Sequence, residues 1–111
     1  MDIIRNKDPY AVFKAELMIG LMSKMDKDGM YVLETELQPI EFEDIARFDN
    51  DECVCNTTSV TFENLNGFIP YIGIFDAVTK ELLAFDGMAG EDNFNNDTLT
   101  INIDDLTITL N

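Results

Sequence analysis

The chain has 111 residues, and its 46% apolar and 10% aromatic content is typical of one globular domain rather than of a disordered segment. Its 22 acidic residues outnumber the 7 basic ones, so a net charge of −15 makes direct contact with nucleic acid or an anionic membrane unfavourable. No apolar run is long and uninterrupted enough to span a membrane, and no signal-peptide cleavage pattern follows the first one. We therefore expect a protein that stays in the cell that makes it.

The first predicted element is an α-helix that begins at Asp8-Pro9 and ends at Met25. An Asp side chain can cap free helix amides, and Pro is tolerated at the first helical position. Residues 26–29, Asp-Lys-Asp-Gly, then predict an exit turn. They resemble the opening of a calcium loop but lack its third acid and its distant glutamate, so an ordinary turn is the favoured interpretation.

The apolar residues of this predicted helix surround it instead of forming one stripe. A helix of that kind is normally buried on several sides, whereas one small sheet covers only one side. We therefore expect the helix to contact another subunit or a larger partner. The alternative is a helix that closes the open end of a sandwich, with Met side chains filling irregular gaps.

From Met30 onward, short stretches rich in apolar and β-branched residues predict strands. Residues 30–37 predict a strand that ends at Gln38-Pro39, because Pro cannot donate to a strand ladder. A loop plus a strand is predicted over 40–48, and further strands are predicted over 53–57 and 59–63.

The C-terminal part has the clearest strand pattern. After a turn predicted at 64–67, residues 68–76 and 81–87 predict a β-hairpin with a polar loop between them. Residues 88–97 have the composition of an exposed tip. Residues 98–103 and 106–110 alternate apolar and polar side chains, as half-buried strands do. The alternation changes phase at Asp104-Asp105, which predicts a turn or a bulge there.

One helix followed by about six to eight short strands predicts a mainly β protein. The expected fold is an antiparallel β-sandwich of jelly-roll or immunoglobulin-like type with one N-terminal α-helix. Residues 1–29 would form the N-terminal arm and helix, and residues 30–111 the sandwich, within a single compact domain.

The sequence lacks the usual catalytic constellations: it has no histidine, no G-x-S-x-G, no P-loop and no dinucleotide fingerprint. We expect no enzymatic activity and no cofactor. Acid clusters, such as the one containing Asp49, Asp51 and Glu52, are interpreted as a solvated face, with a structural calcium or magnesium ion as the less favoured alternative. Cys53 and Cys55 would close a strained ring as a disulfide, so they are interpreted as free buried thiols.

Three C-terminal motifs stand together: Gly73-Ile74-Phe75-Asp76-Ala77, Leu82-Leu83-Ala84-Phe85 and Leu106-Thr107-Ile108-Thr109-Leu110. They resemble the C-terminal half of a family of small tailed-bacteriophage virion proteins, often labelled tail-fibre or minor structural proteins. Upstream, Val32 falls in a strand similar to the family's V-Y-V-A-L, and Val60-Thr61-Phe62 resembles its V-T-F.

Ile45-Ala46-Arg47 resembles the family's Y-A-R, so the resemblance extends over nearly the whole chain. The chain departs from the family in its loops. It has Thr79-Lys80-Glu81 where the family usually has Gly-Gly, and Asn96-Asp97 where the family has Gly-Asp. These differences affect the binding partner more than the fold.

The resemblance implies a non-enzymatic component of a phage particle: a head-decoration or head-fibre protein, or a tail adaptor. Such a protein would be made in the host cytoplasm and would assemble with itself, as a homo-oligomer, and with other virion proteins. The helix would then be the assembly element. The residues that this hypothesis places at the subunit contact are Phe13, Leu17, Met18, Leu21 and Met22.

A second hypothesis follows from the charge. Residues 28–111 contain 18 acidic side chains and only two basic ones. Such a body can imitate the phosphates of DNA. The chain would then be an acidic intracellular inhibitor, or DNA mimic, that blocks a nucleic-acid-binding protein and is absent from particles.

Overall fold

The computed structural model describes residues 2–3, 16–25, 30–43, 53–88 and 93–109. These ranges contain ten strands and no helix, so the protein is mainly β. In chain order the strands are β1 (Asp2–Ile3), β2 (Leu17–Met25), β3 (Tyr31–Leu33), β4 (Gln38–Ile40), β5 (Cys53–Cys55), β6 (Val60–Phe68), β7 (Tyr71–Asp76), β8 (Leu82–Gly87), β9 (Asn93–Ile101) and β10 (Thr107–Thr109).

The strands form two sheets. Eight strands make the larger sheet in the order β3-β2-β7-β8-β1-β10-β5, with β4 pairing beside β3 on β2, and β6 pairs with β9 in the smaller sheet. Among the described residues every pairing is antiparallel except that of β1 with β10. Buried side chains from both sheets, including Ile19 and Ile74 from the larger and Phe62 and Ile101 from the smaller, belong to one hydrophobic cluster.

Residues 17–25 form strand β2, so the helix predicted there is wrong. β2 pairs with β7 on one side and with β3 and β4 on the other, which places it inside the larger sheet. The predicted division at residue 29 therefore does not follow the sheet. The earlier part of the predicted helix, residues 8–15, lies outside the described residues.

Burial on both faces explains why β2 resembled a helix in sequence. Ile19 and Leu21 point into the core that the two sheets share. On the opposite face, Met22 packs with Phe75 and Leu82 in a second buried cluster. A strand covered on both faces is a continuous apolar run without alternation, and Leu and Met are also good helix formers.

The edge of the larger sheet differs from the sequence prediction. The strand predicted over 30–37 is shorter, and Pro39 lies within β4 instead of ending a strand, with Met18 of β2 as its partner. Pro is compatible with this position because, in the described chain, β4 pairs within the sheet only with β2 and forms an edge.

Strand β6 continues through residues 64–67, where a turn was expected. Its register with β9 shifts between Phe62 and Leu65, and Asn64 and Gly67 have φ values of 58° and 88°. These residues therefore form bulges in a strand. Similarly, residues 93–97 of the predicted exposed tip belong to β9, whereas 89–92 lie outside the described residues.

The predicted hairpin is confirmed as β7–β8, but its first strand begins at Tyr71, and Phe68 belongs to β6. Asp76 closes the loop, because its Oδ1 accepts hydrogen bonds from the amides of Val78 at 2.7 Å and Thr79 at 3.0 Å. The turn predicted at Asp104-Asp105 is also confirmed, and it carries the chain from β9 in the smaller sheet to β10 in the larger one.

Lys80, in the hairpin loop, has a φ of 63°, which glycine adopts without a Cβ penalty. We expect Lys80→Gly to stabilise the protein by about 0.5–1 kcal/mol, even though the Lys80 Nζ bond to the Ala77 carbonyl is lost. Thermal unfolding of the two proteins measures this. Lys80→Ala keeps the Cβ while removing the amine, and it should not gain stability; a gain equal to that of glycine would contradict the backbone explanation.

Candidate functional site

An open groove of about 590 Å³ lies between the segment that links β3 to β4 and the edge of β6. Its described lining residues include three glutamates and no lysine or arginine. The lining consists of Glu34, Thr35, Glu36, Gln38, Thr61, Phe62, Glu63, Asn64, Leu65, Asn66 and Ile69. The groove therefore offers hydrogen-bond acceptors and negative charge above a partly apolar floor.

The first wall of the groove is a bulged edge held to β2 by hydrogen bonds. The Glu34 amide donates to the Leu21 carbonyl at 2.8 Å, and the Leu21 amide donates to Thr35 Oγ1 at 3.1 Å. Ser23 Oγ donates to Glu34 Oε1 at 2.6 Å, which fixes that carboxylate. Side chain and backbone together thus continue the ladder between β3 and β4, while Glu36 remains exposed.

The second wall is β6. Phe62 and Leu65 are buried in the shared core, whereas Thr61 and Glu63 are exposed. Gln38 Nε2 donates to the Thr61 carbonyl at 2.7 Å, so one side-chain bond joins the two walls.

The groove presents hydrogen-bond acceptors and negative charge to a partner. Carboxylates and open strand backbone can accept hydrogen bonds from a cationic partner. In the described part of the chain, no three His, Cys, Asp or Glu side chains come together in a position to hold a metal ion. Asp49, Asp51 and Glu52, the acids singled out in the sequence, lie outside the described residues.

The two cysteines lie in β5. Cys55 is a free thiol, half-buried, with its sulfur 3.5 Å from Thr107 Oγ1. The side chain of Cys53 lies outside the described residues.

The residues assigned to an assembly interface do not form an exposed surface. Leu17 is 7% exposed, and Leu21 and Met22 are fully buried within a single chain. That assignment is wrong for these three residues, because β2 carries them into the interior. Met18 is half-buried, with its sulfur 3.6 Å from Lys80 Nζ, and Phe13 lies outside the described residues.

Large apolar side chains are instead exposed at strand ends and edges. Val32 is 46% and Leu33 38% exposed on β3, an edge strand of the larger sheet. Phe68 is 56% exposed at the end of β6, beyond the bulge. Neither these edges nor the groove can be recognised in the sequence, because only tertiary packing brings residues 34–38 beside residues 61–66.

No helix that is long and apolar enough to cross a membrane occurs in the described ranges. Comparisons with models of known protein families, with characterised proteins and with solved structures found no match to this chain. Within the described chain, the groove and the exposed strand edges are open to contact with another molecule.

Proposed function

We propose that this chain is a non-enzymatic structural component of a tailed-phage virion, either a head-decoration or head-fibre protein or a tail adaptor. In this role it works through contacts with other proteins. The virion-like motifs from Gly73 onward support the class of protein.

The observation that carries the proposal is the open strand edge. β6 and β9 form a two-stranded sheet to which no further strand of the described chain is added. β3 leaves Val32 and Leu33 exposed at an edge of the larger sheet. Strand edges with unpaired backbone groups are places where another chain can add by strand pairing. A protein whose role is assembly has a use for such edges.

The shared core supports a finer fold proposal. Phe62 and Ile101 of the smaller sheet belong to the same buried cluster as Ile19 and Ile74 of the larger sheet. Two sheets that bury their inner faces against each other make a sandwich. We therefore propose a two-layer β-sandwich in which the smaller sheet covers part of the larger one.

The location of the chain in a particle tests the functional proposal. The hairpin loop at 77–80 is a suitable epitope, because Val78 is 81% exposed. A gold-labelled antibody against this loop should mark particles of the phage that encodes the chain. Label over the head indicates a decoration or head-fibre protein, and label at one vertex or on the tail indicates an adaptor. Unlabelled particles would count against an exposed virion component.

The acidic surface favours a second candidate, an intracellular inhibitor that imitates DNA. The net charge is −15, and glutamates line the groove without a basic residue among its described lining. An inhibitor of this kind would compete with duplex DNA for a basic protein and would be found in infected cells but not in particles. Competition that disappears at high salt, together with absence from particles, would favour it.

A further inference from the structure

The outer edge of β6, on the groove side, can accept another strand. In the described chain β6 pairs only with β9. The Thr61 carbonyl accepts a hydrogen bond from Gln38 Nε2, so it points into the groove and away from β9. The Thr61 amide is on the same side, because a residue's N–H and C=O point to one edge of its strand.

The contact between Thr61 and Gln38 shows that, in the described chain, this edge lacks a neighbouring strand as hydrogen-bond donor. A side-chain amide of the opposite wall supplies the donor that a neighbouring strand would otherwise supply to the Thr61 carbonyl. Immediately afterwards, the register with β9 shifts across Glu63 and Asn64. The backbone of β6 is therefore only partly satisfied by its own sheet at the place where the groove lies against it.

The charge of the groove selects the occupant. Glu36 and Glu63 are exposed there, Glu34 is fixed by Ser23, and the described lining contains no basic side chain. A second copy of this chain would bring another net charge of −15, and a nucleic acid would bring phosphates, so both are repelled. A segment rich in lysine or arginine is attracted.

We infer that the groove binds an extended, lysine- or arginine-rich segment of a partner protein, which pairs as an additional strand with the outer edge of β6. Backbone hydrogen bonds to Thr61 provide the pairing, and the glutamates select basic side chains. This inference rests on the proposed function in protein–protein assembly and specifies the chemistry of the partner.

The direct test uses a nine-residue peptide of alternating Lys and Val, matched to the nine residues of β6. Binding is followed by titration calorimetry, and amide hydrogen exchange is measured by NMR. The peptide should bind and should slow exchange of the Thr61 amide. The same peptide with Glu in place of Lys should bind at least about tenfold more weakly, given the charge of the groove.

General attraction to a highly acidic protein is separated from groove binding by matched variants. The double variant Glu36→Gln, Glu63→Gln should weaken binding by about five- to tenfold. Each substitution removes one exposed carboxylate that would pair with a lysine of the peptide. Glu16→Gln with Glu41→Gln makes the same change of net charge at exposed positions outside the groove, and it should change binding less than about twofold. Equal losses in the two double variants would overturn the inference.

Strand pairing itself has two further tests. Two versions of the peptide are each N-methylated at alternate residues, one on the edge that faces β6 and the other on the opposite edge. The first should no longer bind, whereas the second should still bind. Gln38→Ala removes the donor that competes for the Thr61 carbonyl, so it should tighten binding by about fivefold. Equal effects of the two methylation patterns, or weaker binding by Gln38→Ala, would contradict pairing at Thr61.

The outcomes distinguish this inference from the proposed function. A chain that is present in particles but fails the peptide tests keeps its structural role and loses this docking mode. A chain that passes the peptide tests but is absent from particles keeps the docking mode and loses the virion role.

Discussion

Replacing Asn56 by Leu should lower the free energy of unfolding by about 3 kcal/mol, because three backbone groups lose their partner. Asn56 is the buried polar residue of the described core, with 0% exposure. Its Nδ2 donates to the carbonyls of Thr58 at 2.8 Å and Asn102 at 2.9 Å, and its Oδ1 accepts the Leu106 amide at 2.8 Å. The side chain thus connects β5 to both ends of the β9–β10 turn.

Chemical denaturation measures the loss, and Asn66→Leu is the matched control. Asn66 also bonds the backbone, accepting the Asn96 amide at 2.8 Å, but it is exposed. Water can replace its bonds, so we expect a loss below about 1 kcal/mol. Equal losses at the two positions would show that burial of the hydrogen bonds at Asn56 does not govern the stability.

The second large effect is expected at Gly73, which lies in strand β7 of the β7–β8 hairpin. A Cβ at this position would lie 2.8 Å from Leu82 Cδ1, 2.9 Å from Met22 Cε and 3.0 Å from Phe75 Cε2. Those three side chains are buried in the second cluster, so they have little room to move. We expect Gly73→Val to destabilise the protein by about 3 kcal/mol through overpacking, measured by thermal or chemical unfolding.

Gly87 provides the control for this substitution in the same hairpin. The nearest atom to a Cβ there is the Pro70 carbonyl oxygen at 3.9 Å, and the residue is exposed at the end of β8. Gly87→Val should change stability by less than about 1 kcal/mol, since a β-branched residue suits a strand. Leu82→Ala should partly rescue Gly73→Val. Additive losses in the double variant would contradict a clash between these side chains.

The parts of the fold that the sequence predicted well are those covered on one face or closed by a local turn. β10 lies within a predicted strand, and the phase change at Asp104-Asp105 located the turn correctly. The β7–β8 hairpin was predicted because its two strands are consecutive and its loop is polar. Local chemistry determines such features, so a single sequence reveals them.

The parts that the sequence did not predict depend on tertiary packing. β2 lies between β7 and the edge strands, and both its faces are covered. Its apolar and polar residues therefore do not alternate, and the same residues favour a helix when isolated. The bulges at Asn64 and Gly67 resemble a turn in sequence, because positive φ favours Asn and Gly in both settings.

The groove also depends on tertiary packing, so the sequence did not predict it. Its walls come from segments more than twenty residues apart, and the Gln38–Thr61 bond that joins them has a sequence separation of 23. Glu36 and Glu63 are unremarkable among 22 acidic residues until the two sheets bring them to one surface. From sequence, the charge made direct contact with nucleic acid or an anionic membrane unfavourable, whereas the position of the acidic groove depends on the strand arrangement.

Quantitative mass spectrometry of gradient-purified particles tests the virion role most directly. Peptides of this chain are measured against peptides of the major capsid protein from the same particles. A structural component is present at a fixed ratio across independent preparations, as symmetric assembly requires. A chain that is abundant in infected cells but absent from the particles, or present at a ratio that falls with each purification step, would contradict the proposed function.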